Sequence, residues 1–275
     1  MKLAAMQPYF FPMRILIDSL GLQARIHSQD GQRLATFLLE IERLSGSAAR
    51  FSPPAPLSGD LLGEVDVLVI TTRKIGDNPY MEAELAAIPA FVQRGGGLLL
   101  MANHGDIPGK PYPNMTRNDA ALARNFGIEI ENTFFASPEW KKLVEISGAD
   151  LCLAHPILSG AQTGQPVRSL VTNNCSSLRA GEDGIPLAAL PGMLRDYRNG
   201  STPQGRHFAV AADRGRLTGA GRVVVTADSG FIGSQADAQP DLIAANATTR
   251  PGFGLIEAGD NRRFIRNTLL WIGTR

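Results

Sequence analysis

Residues 82–106 read EAELAAIPAFVQRGGGLLLMANHGD, and this stretch decides the fold. Leu85, Ile88 and Val92 recur at the spacing of one helix face, and glycines follow where that helix is predicted to stop. Pro89 interrupts the pattern and predicts a kink. Residues 98–102, LLLMA, are apolar without alternation, as expected of a strand buried on both faces of a parallel sheet. The glycines precede this strand instead of following it. They therefore cannot set a helix N-terminus on a phosphate, and they read as a helix end and turn.

Outward from this unit the pattern repeats. MRILIDS (13–19) and VDVLVITT (65–72) are two more apolar strands. Residues 29–45 carry Leu34, Leu38, Ile41 and Leu44 at helical spacing, closed by Gly46, which predicts one helix. Thr116 and Asp119 have the spacing of a capping box before NDAALARNF, which Gly127 ends. IEIENTFF (128–135) resumes an extended pattern. Between 137 and 221 the signals shorten, and PVRSLVT and HFAVAAD read as strands of an antiparallel addition. GRVVVTADSGF (221–231) is again a buried strand, and NRRFIRNTLLWI is a closing helix with Phe264, Ile265, Leu269 and Trp271 available to pack. Strands alternating with helices predict an α/β, doubly wound, mostly parallel sheet with an antiparallel elaboration at about 135–220. Residues 13–275 are expected to form one domain behind an N-terminal extension, 1–12.

Bulk properties exclude several classes. With 44% hydrophobic and 19% charged residues the chain is an ordinary globular sequence. A net charge of +1 gives no general attraction to nucleic acid or to an anionic membrane. No apolar run approaches the ~18 residues of a membrane span, so no membrane insertion is expected. The start, MKLAAMQPYFFPM, is apolar but lacks the layout of a secretory signal. Cys152 and Cys175 are the two cysteines, with no CxxC, so neither a disulfide framework nor a zinc knuckle is indicated. A reduced, cytoplasmic setting is the expectation.

Ligands of open parallel sheets sit outside the carboxyl ends of the strands. The polar residues there are Asp18 and Ser19, Thr72 and Arg73, Asn103 and His104, and Asp228 and Ser229. Asp18, His104 and Asp228 could support acid–base hydrolysis or hold a divalent metal. Ser19, Thr72, Arg73, Asn103 and Ser229 would then contact the ligand. The plainer reading is that strand ends meet water and that Asp and Ser cap helices. Of the remaining histidines, His155 reads as a packed turn residue, His27 as a surface residue before the first helix with Ser28 as its cap, and His207 as a strand residue able to face the crevice. Residues 105–114, GDIPGKPYPN, read as a substrate loop or a plain surface loop. Residues 195–206 read as a solvated basic hairpin loop or an anion contact.

In this order RILIDSLG, VDVLVITT, EAELAAIPAFVQRGGGLLLMANHGD, NDAALARNFGI, AHPILSG, GAGRVVVTADSGFI and DNRRFIRNTLLWI resemble the class I glutamine-amidotransferase-like superfamily. Within it they resemble the branch related to gliding-motility ABC-transporter components and intraflagellar-transport proteins. The resemblance implies a flavodoxin-like sheet. It also implies a cysteine on a tight strand-to-helix elbow after the glycine-rich strand, with a His and a Glu on a later strand. Here the elbow reads Ala102-Asn103-His104-Gly105, and the later strand ends Asp228-Ser229. Hydrolysis of glutamine needs a thiolate, so glutaminase chemistry is not expected. Residues 1–12 are similar to the opening of WbqC-like proteins, but the match stops at Pro12 and implies no function. Two functions follow. One is a non-catalytic domain that binds a small polar ligand, such as a carbohydrate, or a protein partner. The other is a hydrolase of amide, ester or lactone bonds built on His104, Asp18 and Asp228, with or without a divalent metal.

Overall fold

The structure is a computed structural model, and it describes residues 13–74, 76, 78–139, 142–213, 221–234 and 254–274. The extension at 1–12 lies outside the described residues. The elements are β1 (Ile15–Ile17), α1 (Leu22–Asp30), α2 (Ala35–Ser45), β2 (Arg50–Phe51), α3 (Gly59–Gly63), β3 (Val67–Thr71), α4 (Glu82–Gln93), β4 (Gly97–Met101), α5 (Arg117–Ala123) and β5 (Ile128–Ala136). They continue with β6 (Val144–Ser147), α6 (Pro156–Ser159), β7 (Ser169–Thr172), β8 (Asn174–Ala180), β9 (Ile185–Ala189), β10 (Arg195–Asp196), β11 (His207–Ala212), β12 (Arg222–Thr226) and α7 (Asn261–Gly273).

The parallel strands lie in the order β2-β1-β3-β4-β12, the flavodoxin-like 2-1-3-4-5 arrangement with β12 as the fifth strand. Every residue of β3 and β4 is buried, so both faces of the sheet are covered. Beyond β12 the sheet continues antiparallel through β11, β8, β5 and β10, with β9 also paired to β11. A separate two-stranded antiparallel sheet, β6–β7, completes the expected antiparallel portion.

Each glycine of the quoted stretch has a packing reason. Gly95 takes φ 102, and a Cβ at Gly96 would strike the Phe91 ring. A Cβ at Gly97 would lie 2.5 Å from the Ile272 carbonyl oxygen of α7. Gly95 and Gly96 therefore form the turn after α4, and Gly97 opens β4 under the closing helix. That helix is tied down by charge as well: the buried Glu40 carboxylate of α2 receives Arg262 at 2.6 Å and Arg266 at 2.7 Å from α7, and Arg43 at 3.0 Å.

The expectations around the first helix are corrected. The single helix over 29–45 is two helices. Gly31 sits at φ 67, and the Asp30 carboxylate accepts from the N–H groups of Gln32 (2.8 Å) and Arg33 (2.9 Å), turning the chain between them. His27 consequently lies inside α1, and its Nδ1 accepts from Leu34 N–H at 3.2 Å. Ser28 donates to the Arg25 carbonyl instead of capping. The sequence concealed α1 because LQARIHSQD has no apolar stripe and buries only Gln23 and Ala24. Pro89 lies within α4, which extends on to Gln93.

Gly97→Ala is expected to cost about 1–3 kcal/mol, because a rigid backbone carbonyl stands in the way. Gly59→Ala, where nothing lies within 4 Å, should stabilise by up to about 1 kcal/mol. Urea unfolding of both variants checks the contrast.

Candidate functional site

The four strand tips separate into two clusters. The first is dry. At the exit of β3, the Arg73 guanidinium is fully buried and bound on two sides. Its Nε and Nη2 donate to Asp18 at 2.8 and 3.1 Å, and its Nη1 and Nη2 donate to Glu84 at 3.0 and 2.8 Å. It also lies over the Tyr80 ring, 4.3 Å from the centroid. Burial would push the Glu84 carboxyl up, but hydrogen bonds from Arg73 and from the Leu57 and Met81 N–H groups hold it below the usual carboxylate range.

Beside this ion cluster, Asp119 of α5 is wholly buried. It accepts from the Thr72 hydroxyl, from Arg73 N–H at 3.2 Å and from the Tyr80 hydroxyl at 3.0 Å. Burial drives its carboxyl up to about 7, against the lowering effect of those hydrogen bonds. Thr72 is held at φ 43, a strained conformation for a β-branched residue. Its N–H donates to the Met101 carbonyl at 2.7 Å, and its carbonyl accepts from Leu22 N–H at 2.8 Å. The predicted Thr116–Asp119 capping box is absent: Thr116 makes no side-chain cap, because Asp119 is turned inward to Thr72, Arg73 and Tyr80.

The second cluster lines a cavity of about 210 Å³ beside the ends of β4 and β12. His104, Asn103 and Asp228 reach it from the predicted set, while Asp18, Ser19, Thr72 and Arg73 do not. Ser19 instead donates to the Pro53 carbonyl at 3.1 Å, near the end of β2. Ser229 lies beneath the cavity, where its hydroxyl oxygen accepts from Gln23 (3.1 Å) and Asn103 (3.3 Å). Gln23 in turn accepts from Arg33 Nε at 2.7 Å. Asp228 accepts from the Thr172 hydroxyl and from Gly230 N–H, each at 2.7 Å. Among the described residues no group of three or more His, Cys, Asp or Glu side chains assembles a metal site, so Asp18, His104 and Asp228 are not gathered as a ligand set.

His104 Nδ1 is 2.8 Å from the Gly105 carbonyl, which can only accept, so Nδ1 carries the proton. Burial among Phe134 (ring centroids 4.7 Å apart) and Tyr112 (5.9 Å) lowers its pKa, and the bond to Gly105 opposes this. The neutral ring thus presents Nε2 as an acceptor, with no partner among the described residues. No strand-to-helix elbow forms here. Residues 102–116 run as a loop before α5, with Gly105 N–H bonded to the Thr133 carbonyl at 2.7 Å. A cysteine thiolate would lack the helix that supports it in the amidotransferase arrangement. Cys175 is buried, and burial together with the Asp228 charge pushes its thiol well up, so it stays protonated.

Tyr112 from the 105–114 loop and Met115 just beyond it line the cavity, which puts that loop at the edge of the site. Residues missed by the sequence reading are Gln23 and Arg33, carried by the unseen α1 and its turn, and Asn173 and Asn174 at the β7–β8 junction. Adjacent asparagines between two apolar runs were the available signal. His155 caps α6 by accepting Ile157 N–H at 3.2 Å, as a packed turn residue should, and burial lowers its pKa to about 4. His207 does not line the cavity. The basic loop at 195–206 is committed internally: Arg195 donates to the Leu194 carbonyl (2.8 Å), Arg198 to the Asn132 carbonyl (2.7 Å) and Arg206 to Glu131 (2.7 Å).

No family model matches the chain, and no curated protein matches it. Among solved structures it is similar to the mmIFT52 N-terminal domain, with TM-score 0.64 and 14% identity, covering 95% of this chain and 98% of that one. It is similar to a cytoplasmic protein of Salmonella typhimurium at TM-score 0.54 and 14% identity, covering 94% and 99%. A ThuA-like protein from Bacteroides uniformis gives 0.50 and 15%, covering 90% and 94%. At these identities the likeness is one of fold alone, an α/β fold built on a mostly parallel sheet. Among the described residues no helix is long and apolar enough to cross a membrane.

Arg73→Met should destabilise by about 3–5 kcal/mol, because it strands two buried carboxylates. Asp119 sets a pH dependence. Its folded pKa of about 7 exceeds the ~3.9 of an unfolded Asp, so the native state binds the extra proton between those values. Its contribution is therefore greatest below pH ~4 and declines as pH rises to about 7. Melting curves of Asp119→Asn should lack this decline.

Proposed function

We propose that the chain is a non-catalytic, amidotransferase-like domain that binds a small, neutral, polar ligand in the cavity beside His104. The observation that carries this reading is the set of unused hydrogen-bonding groups on the cavity wall. The half-buried carboxamides of Asn173 and Asn174 have no side-chain partner among the described residues, and His104 offers an acceptor nitrogen. Carboxamides donate and accept, which suits a molecule whose groups also do both. Leu22, Ile26, Met115 and Leu255 supply apolar wall, and Tyr112 an aromatic one. At about 210 Å³ the cavity lies below the volume that drug-sized ligands fill, and a monosaccharide-sized polyhydroxyl compound suits it. The order of sequence motifs relates the domain to the amidotransferase-like branch that includes intraflagellar-transport domains.

One observation favours a hydrolase. His104 is a neutral base whose Nε2 is available to activate a water. Against this, both oxygens of Asp18 are engaged by Arg73, which leaves it no part in orienting that imidazole.

Thermal shift and calorimetry with neutral hexoses, pentoses and polyols, beside matched sugar acids and sugar phosphates, test the proposal. A neutral compound should stabilise the wild type, by about 2.7 kcal/mol at a hundredfold excess over Kd. Asn174→Ala should weaken that binding at least about tenfold with the fold intact, a loss of roughly one buried hydrogen-bonded contact. Preference for the anionic compounds, or no binding across the panel, overturns the reading. Hydrolysis of amide, ester or lactone substrates that His104→Ala abolishes would establish the hydrolase instead.

A further inference from the structure

At the β3 exit stands a buried charge cluster that the ligand reading does not use. Arg73 from the β3 exit faces Asp18 from the β1 tip, Glu84 from α4 and, through its backbone N–H, Asp119 from α5. The Tyr80 and Thr72 hydroxyls close the shell around Asp119. On α5 itself, Asn118 donates to the carbonyls of Arg73 (3.0 Å) and Lys74 (3.2 Å). The guanidinium thus meets two buried carboxyl groups, and the backbone N–H of the same residue meets a third.

Asp119 is four residues past Met115, which lines the cavity and whose N–H donates to the His104 carbonyl at 3.1 Å. The wall segment 105–116 is therefore anchored at its start by Gly105 on Thr133 and at its end by Asp119 on Thr72 and Tyr80. We propose that Asp119 is a proton-operated latch on this wall: protonated, it holds α5 and residues 105–116 against the β3 exit, and ionised, it loosens them.

The physical case has two parts. Ionised Asp119 would add a further negative charge to a wholly buried site that holds two carboxyl groups and a single cation. Exposure of α5 relieves that cost by returning the carboxylate to solvent. Thr72, at φ 43, also stores backbone strain that its hydroxyl bond to Asp119 helps to hold, so release of the latch is favoured twice. Burial sets the operating range, since it raises Asp119 to about 7 while the opened, solvated carboxyl returns toward ~3.9. Opening then becomes easier as pH rises from ~4 to about 7 and levels off above it, with a slope of about tenfold per pH unit for one proton.

Hydrogen exchange of the full chain between pH 5 and 8, corrected for intrinsic rates, tests this without any ligand. Failure here would leave the cavity reading standing, and failure of the cavity reading would leave the latch. Amides of α5 should be less protected than those of β4 and β12, and should lose about tenfold in protection per pH unit up to about pH 7. Asp119→Asn should flatten that slope. Tyr80→Phe removes a donor to the carboxylate and should carry the slope to higher pH, which keeps the test open if the asparagine variant does not fold. The latch is overturned if α5 exchanges only with the core strands, or if its protection in the wild type does not change with pH.

Discussion

The structure depends on one buried cation. Arg73 leaves β3 where a flavodoxin-like sheet reverses its strand order, the place at which such folds commonly admit ligands. Here the guanidinium fills that place itself and binds Asp18 and Glu84 with four hydrogen bonds. An ion of either sign alone would be costly in that interior, and the arrangement holds because both carboxyl groups share the guanidinium and backbone N–H groups take further lone pairs. Leu57 and Met81 donate to Glu84, and Leu20 donates to Asp18. The tips of β1 and β3 are thereby closed to a ligand.

Closing one crevice leaves the other end of the parallel half open. The ends of β4 and β12 carry Asn103, His104 and Asp228, and α1 brings Gln23 over them. Ser229 is the joint of this wall, accepting from Gln23 and from Asn103 and so fixing both carboxamides. The antiparallel half contributes Asn173, between β7 and β8, and Asn174, the first residue of β8. Neither half of the sheet makes the cavity alone. The elaboration between β4 and β12 is thus part of the site and not an appendage to it.

His104 shows how residue type and backbone divide the work. The tautomer is set by the Gly105 carbonyl, and the ring's position by Phe134 and Tyr112. The loop that replaces the elbow is pinned to β5 through Gly105, where a Cβ would collide with Asn132 and the backbone of Thr133. The same loop passes Tyr112 and Met115 along the cavity and leads into α5, which carries Asp119 to the buried charge cluster.

The sequence by itself determined the layered α/β sheet. Continuous apolar runs such as LLLMA and VLVIT can be satisfied only by burial on both faces, and glycines at 95–97 can only end a helix when they precede the strand. It also placed His104, Asn103 and Asp228 at strand ends. Tertiary structure decided which polar tips share a space. Asp18 and Asp228 look alike in sequence, but one is consumed by an arginine 55 residues away and the other borders a cavity. Asp119 had the spacing of a capping residue, and packing of α5 against the β3 exit turned it inward to Thr72 and Tyr80. Helix α1 was illegible because its role is to carry Gln23 to Ser229, a contact across 206 residues that leaves no local periodicity. Periodicity records burial along one element, whereas pairing of charges and hydrogen bonds between elements depends on distances that only the folded chain sets.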